Sequence, residues 1–180
     1  MGFFTKDFKE IFYTQIISVT GGLLAGTLLA VYLNKIYLIP GFFILFPGLM
    51  DMRGSISGSL AARLSAGLHL GAIKPAKMVS EITIGNFKAA LLLTVIVSLL
   101  LGTVAYIVNL IIFSIDYPRI ILISVFAALM ANLVEVPMTI LITFWLFRKG
   151  HDPNNIMGPY VSTSGDIVTV VSLLIAIVVV

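Results

Sequence analysis

The sequence predicts an all-α integral membrane bundle of five transmembrane helices, the second of them broken. Three observations predict it. Charged residues make up 11% of the 180-residue chain and hydrophobic ones 59%, with a mean hydropathy of +1.13. Soluble domains carry roughly 25% charged residues, so this chain has too few charges to cover a water-facing surface. Five apolar stretches follow one another, each long enough for a hydrocarbon core of about 30 Å, which takes about 20 helical residues. Finally, the basic residues gather on alternate connections between these stretches.

The spans are placed at 11–33, 37–64, 88–113, 120–147 and 159–180. Together they fill residues 1–180 as one transmembrane domain and leave no room for a soluble regulatory domain. The apolar run of span 1 is too long for a signal-peptide core, and no small-residue cleavage site follows it, so it reads as a retained helix. The ten residues before it, "MGFFTKDFKE", alternate Phe with charged residues. They form either a short helix lying in the membrane interface or a frayed tail. Pro40, Pro47 and Gly48 interrupt span 2. Such breakers are tolerated at membrane depth where protein or a wet cavity satisfies the freed backbone groups. The segment "GAIKPAKMVSEITIGNFKAA" is the one sizeable loop, between spans 2 and 3.

Lys6 and Lys9 precede span 1; Lys74, Lys77 and Lys88 lie between spans 2 and 3; Arg148 and Lys149 lie between spans 4 and 5. The opposite side holds Lys35 and Arg119. The positive-inside rule then puts the N-terminus in the cytoplasm and the C-terminus outside. The net charge of +3 needs no nucleic-acid partner, and the absence of cysteine excludes disulfides and thiolate metal sites.

Four charges fall at membrane depth, where charge is costly and marks function by default: Asp51, Arg53, Glu135 and Asp166. At about 1.5 Å per residue, the three acids lie about 14, 15 and 7 residues into spans 2, 4 and 5. With the alternating span directions, this places them in one layer slightly to the cytoplasmic side of the midplane.

Each acid belongs to a stripe of polar or small residues three and four apart, which share a helix face. On span 2 the stripe is Asp51, Ser55, Gly58 or Ser59, and Ala62. On span 4 it is Asn132, Glu135, Thr139 and Thr143, with Pro137 disrupting the helix beside the acid. On span 5 it is Ser162, Asp166, Thr169 and Ser172 or Leu173, with Thr163 one turn before the acid. Such stripes either line a wet pathway or let helices pack closely. Glu135 is either part of the acid site or the partner of Arg53 in a structural ion pair. Arg53, two residues from Asp51, points elsewhere; it either snorkels to the interface or partly neutralises the acid layer.

Carboxylates, hydroxyls and carbonyls are hard oxygen ligands that suit Mg²⁺, Ca²⁺ or Mn²⁺. Neither His69, at the end of span 2, nor His151, in a loop, lies within a span, which disfavours zinc and copper. Mg²⁺ keeps several waters and needs only one or two carboxylates, which fits a sparse acid layer.

Two segments then resemble a known family. "PGLMDMRGSISGSLAARLSAGLHLGAI" is similar to the second-helix motif of MgtE-type magnesium transporters. "HDPNNIMGPYVSTSGDIVTVVSLLIA" is similar to their last-helix motif, with its Asp-Pro, its hydroxylated pair and its Asp before an apolar helix. The Arg followed by "AARLS" resembles the related eukaryotic solute-carrier branch. The resemblance implies a homodimeric divalent-cation transporter or channel, most simply for Mg²⁺, in the cell membrane. Its pore lies at the two-fold axis, between helices 2 and 5, and it has no organic cofactor and no enzymatic activity.

The family's principal metal-binding Asp falls on Asp166 and its glycine-rich turn on Arg53 and Gly54. Ser55 stands where the family has Asn, and Arg53 where it has Gly. The metal site expected is Asp166, Asp51, Gly54, Ser55, Thr163, Glu135 and Asn132. Pro47, Gly48, Arg53, Gly58, Ser59, Ser162 and Thr169 are expected to line the pore or break a helix.

Three other readings compete. One is a Na⁺- or H⁺-coupled Mg²⁺ exchanger. Another is an intramembrane aspartyl hydrolase using Asp51 and Asp166, disfavoured because "STSGDIV" lacks the Gly-x-Gly-Asp pattern. The third is a non-transporting subunit of a larger complex.

Overall fold

The computed structural model describes residues 6–37 and 39–180. Every regular element among them is helical: α1 (Lys6–Val31), the one-turn α2 (Leu33–Ile36), α3 (Phe42–His69), α4 (Glu81–Phe113), α5 (Arg119–Arg148) and α6 (Pro153–Val179). Helices α1, α4, α5 and α6 are long and apolar enough to cross a membrane, with mean hydropathies of 1.6, 2.6, 2.1 and 2.0. The chain is a multi-pass integral membrane protein. Helix α3 has 28 residues, but Asp51, Arg53, Arg63 and a run of Gly and Ser make it more polar than the other four.

Helix α5 sits at the centre, packed against α3, α4 and α6, while α1 packs on α6 at the periphery. Large apolar side chains cover the outer faces, among them Leu23 and Leu24 on α1 and Leu92, Leu100 and Ile111 on α4. In water such a surface would be an aggregation site; in lipid it is the solvated face.

Helix starts and stops follow local chemistry. Ser80 caps α4 by accepting from the Thr83 N–H at 3.2 Å, and Asp152 caps α6 by accepting from the Asn154 N–H at 2.9 Å, with Pro153 next. The Ser80 cap starts α4 at Glu81, so half of the expected 71–90 loop is helix and the connection is 70–80. Gly41 precedes α3 with φ 78°; a Cβ there would run into the Asn109 amide and lie 2.7 Å from Ile120.

Two expectations need correction. Helix α3 is one helix from Phe42 to His69, unbroken at Pro47 and Gly48. Pro47 lies little more than a turn from the helix start, so it costs a single backbone bond, to the Phe43 carbonyl. Gly48 is close-packed, with a Cβ there 2.8 Å from Leu101 of α4. Helix α5 likewise runs continuously through Pro137. Second, Lys6–Glu10 continue straight into α1 and are not a separate interfacial helix; residues 1–5 lie outside the described residues. Polar contacts tie this start to the α5–α6 turn. Lys6 donates to the Gly150 carbonyl at 2.8 Å, and His151 Nδ1 lies 2.7 Å from Glu10 Oε1.

The apolar core is divided. One cluster, near the start of α3, gathers Phe42, Leu45, Leu49, Ile120, Ile123 and Leu173. A second gathers Leu60, Leu64, Val136, Ile140 and Phe144, and a third Ala61, Met157 and Val161. Between the first cluster and the other two lies a belt of buried polar residues: Arg53, Ser57, Asn132, Glu135 and Thr169.

Candidate functional site

On the flank of this belt, α3 and α6 leave an open groove of about 340 Å³. It is lined by Met50, Asp51, Arg53, Gly54, Ser55 and Gly58 of α3 and by Gly158, Val161, Ser162 and Asp166 of α6. The α3 residues recur at three and four, so one helix face supplies Asp51, Gly54, Ser55 and Gly58. A Cβ added at Gly54, Gly58 or Gly158 would meet nothing within 4 Å. Packing among the described residues therefore does not require these glycines.

Arg53 closes the back of the groove. Its side chain is 3% exposed, whereas that of Asp166 is 26% exposed. Nη2 donates to Asp166 Oδ1 at 2.9 Å and Nη1 to the Val161 carbonyl at 2.7 Å. The guanidinium lies flat on the α6 backbone at Gly165, where any Cβ would overlap it. Arg53 therefore does not snorkel; it is a buried clamp between α3 and α6. Removing one partner of such a pair typically costs 3–5 kcal/mol, because a charge is left alone in a low dielectric.

The structure brings Asp51, Arg53, Gly54, Ser55, Gly58, Ser162 and Asp166 to this groove and places the other expected residues elsewhere. Glu135 is fully buried behind it, on α5. The Ser164 hydroxyl lies 2.9 Å from Glu135 Oε1 and 2.8 Å from the Tyr160 carbonyl. Among the described residues, Glu135 makes no ion pair within 4 Å; the short pair of Arg53 is with Asp166. Asn132 faces α4, donating to Thr94 Oγ1 at 2.9 Å. Thr163 faces α1, its methyl group against Gly21. Ser59 lines a separate groove between α3 and α4, shared with Ser55, Arg63 and Asn86. Thr169 is buried, and Pro47 is exposed one turn before Asp51 and does not line the groove.

Val161 and Gly165 are site residues that sequence reasoning missed. Gly165 had a signal: a glycine one residue before an intramembrane acid marks a close approach to the backbone. The Val161 carbonyl had none, because a backbone acceptor carries no residue signature. Among the described residues, no three His, Asp or Glu side chains come close enough to hold a metal ion. The carboxylates of the groove thus form no cage among the described residues.

The structure defines a helical membrane bundle with a charged, open groove between two of its helices. The pattern of the MgtE family, described as a divalent cation transporter, matches residues 46–176, from the first turns of α3 nearly to the end of α6. The chain belongs to this family. No curated protein and no solved structure matches it.

Proposed function

We propose that the protein moves Mg²⁺ across the membrane as a homodimer, with the hydrated ion passing along the groove between α3 and α6. The observation that carries this reading is the groove itself. Asp51 and Asp166, from two helices, open onto one polar surface of glycines and serines that none of the described residues covers. A second copy facing this surface would add two more carboxylates and enclose the ion. Asp166 recruits the ion, Asp51 adds negative potential, and the Ser55 and Ser162 hydroxyls and the Gly54 carbonyl meet its waters. Mg²⁺ suits such a site because it gives up its water reluctantly and binds through few carboxylates. In this reading α3 also crosses the membrane, which brings the number of spans to five. The end carrying Lys6, His69 and Arg148 faces the cytoplasm and Val179 faces outside, as the basic residues favour.

The test is Mg²⁺ uptake into vesicles reconstituted with the Asp166→Ala variant. Uptake is expected to fall at least a hundredfold, while cross-linking still yields the dimer. Normal uptake by this variant removes Asp166 from the pathway. A wild-type protein that is monomeric yet active removes the second copy.

A further inference from the structure

The Arg53–Asp166 pair leaves two unpartnered atoms. Arg53 uses both terminal nitrogens, but its Nε has no hydrogen-bond partner; Glu135 uses Oε1, but its Oε2 has none. Both atoms are buried, and a buried polar group without a partner costs about 1–3 kcal/mol, more when charged. Glu135 is held by Ser164, the residue next to the Gly165 backbone on which the guanidinium rests. Arg53 therefore lies near two carboxylates and bonds one of them. The bonded one, Asp166, is open to the groove, and the other, Glu135, is sealed from it.

We propose that Arg53 is an internal cation that occupies Asp166 at rest and moves to Glu135 when a divalent ion enters the groove. This rests on the transport reading above and deepens it. An arriving ion must displace the guanidinium from Asp166. If Arg53 had nowhere to go, displacement would strand a charge in the low dielectric, at a cost of several kcal/mol. Glu135 supplies the second berth, and the move gives both Nε and Oε2 the chance of a partner. Gly165 leaves the room the guanidinium occupies, since a Cβ there would overlap it. The exchange also selects by charge. A monovalent ion replacing Arg53 at Asp166 brings no more charge than it displaces, whereas a divalent ion brings one more.

The test is a cycle of four proteins: wild type, Arg53→Gln, Glu135→Gln and the double variant. The readout is the MgCl₂ concentration that half-saturates protection of the detergent-solubilised protein against heat. Arg53→Gln is expected to lower it roughly tenfold, and Glu135→Gln to raise it roughly tenfold, the weight of one charged hydrogen bond. In the double variant, the Glu135 change is expected to matter less than about twofold relative to Arg53→Gln alone, because no guanidinium needs a berth. A clamp with no exchange role gives the opposite pattern: Arg53→Gln weakens Mg²⁺ protection, or the two effects add, and either result overturns the proposal. Glu135→Gln is nearly isosteric and keeps an oxygen for Ser164, so it remains readable where Arg53→Gln does not fold. An unchanged half-saturation there overturns the exchange and leaves the transport reading standing. Wild-type protein that Mg²⁺ protects but that carries none into vesicles overturns the transport reading; wild-type protein that Mg²⁺ does not protect overturns both.

Discussion

The α3–α6 groove and the α4–α5 seam are built from the same kinds of residue and use them in opposite ways. In the seam, small and polar side chains are consumed within the chain. The Ser124 hydroxyl donates to the Ser98 carbonyl at 2.7 Å, and the Asn132 amide donates to Thr94 Oγ1, which itself donates to the Ala90 carbonyl at 2.8 Å. Gly102 lies so near α5 that a Cβ would stand 2.8 Å from the Ile121 Cα. In the groove, Asp51, Ser55, Gly58 and Ser162 face outward, and the glycines have open space around them. The difference teaches that a polar stripe on a membrane helix has two meanings. Where its bonds close on a neighbouring helix it is an adhesive; where they stay open it is a surface for something else.

The contrast can be broken in three places, taken from the largest effect downward. Gly102→Ala puts a methyl group into backbone. Strain of about 1–3 kcal/mol is expected, only partly offset by the better helix propensity of Ala. The thermal midpoint in detergent should fall by several degrees. Asn132→Ala removes one interhelical bond in the seam, worth about 0.6 kcal/mol and at most about 1.7. A small drop in thermal midpoint is expected, with the half-saturating Mg²⁺ for uptake unchanged; a shift in that concentration would return Asn132 to the ion's path. Gly58→Ala adds a methyl group to open space. The stability of the protomer should change by less than about 0.5 kcal/mol or rise slightly. Mg²⁺ uptake should fall, because the methyl group takes space on the surface assigned to the ion and the second copy. Wild-type uptake by Gly58→Ala would put that surface against lipid.

Within the charged belt, Asp166 and Glu135 make a second contrast. Both are intramembrane acids on polar stripes, and sequence spacing treats them alike. Asp166 is reached from the groove and holds Arg53, whereas Glu135 is sealed among α3, α5 and α6 with one oxygen on Ser164. The setting of each helix about its own axis separates the two roles, Glu135 on α5 and Asp166 on α6. Asn132 and Glu135 share a face, as their spacing implies, but that face looks into the bundle.

The sequence by itself determined a helical membrane protein, the order of its five long helices and the family to which it belongs. The physical reason is that lipid demands long apolar helices, and basic residues and caps mark their ends. It also singled out the charged residues of α3, α5 and α6, because burying charge in a membrane is too costly to be incidental. The tertiary structure decided what those charges touch. Arg53 and Asp166 are 113 residues apart in the chain and 2.9 Å apart in space. Neither the pair, nor the bare backbone of Gly165 that admits it, nor the closing of the α4–α5 seam follows from spacing along one helix. Helix periodicity fixes which residues share a face, but only packing between helices fixes what each face meets.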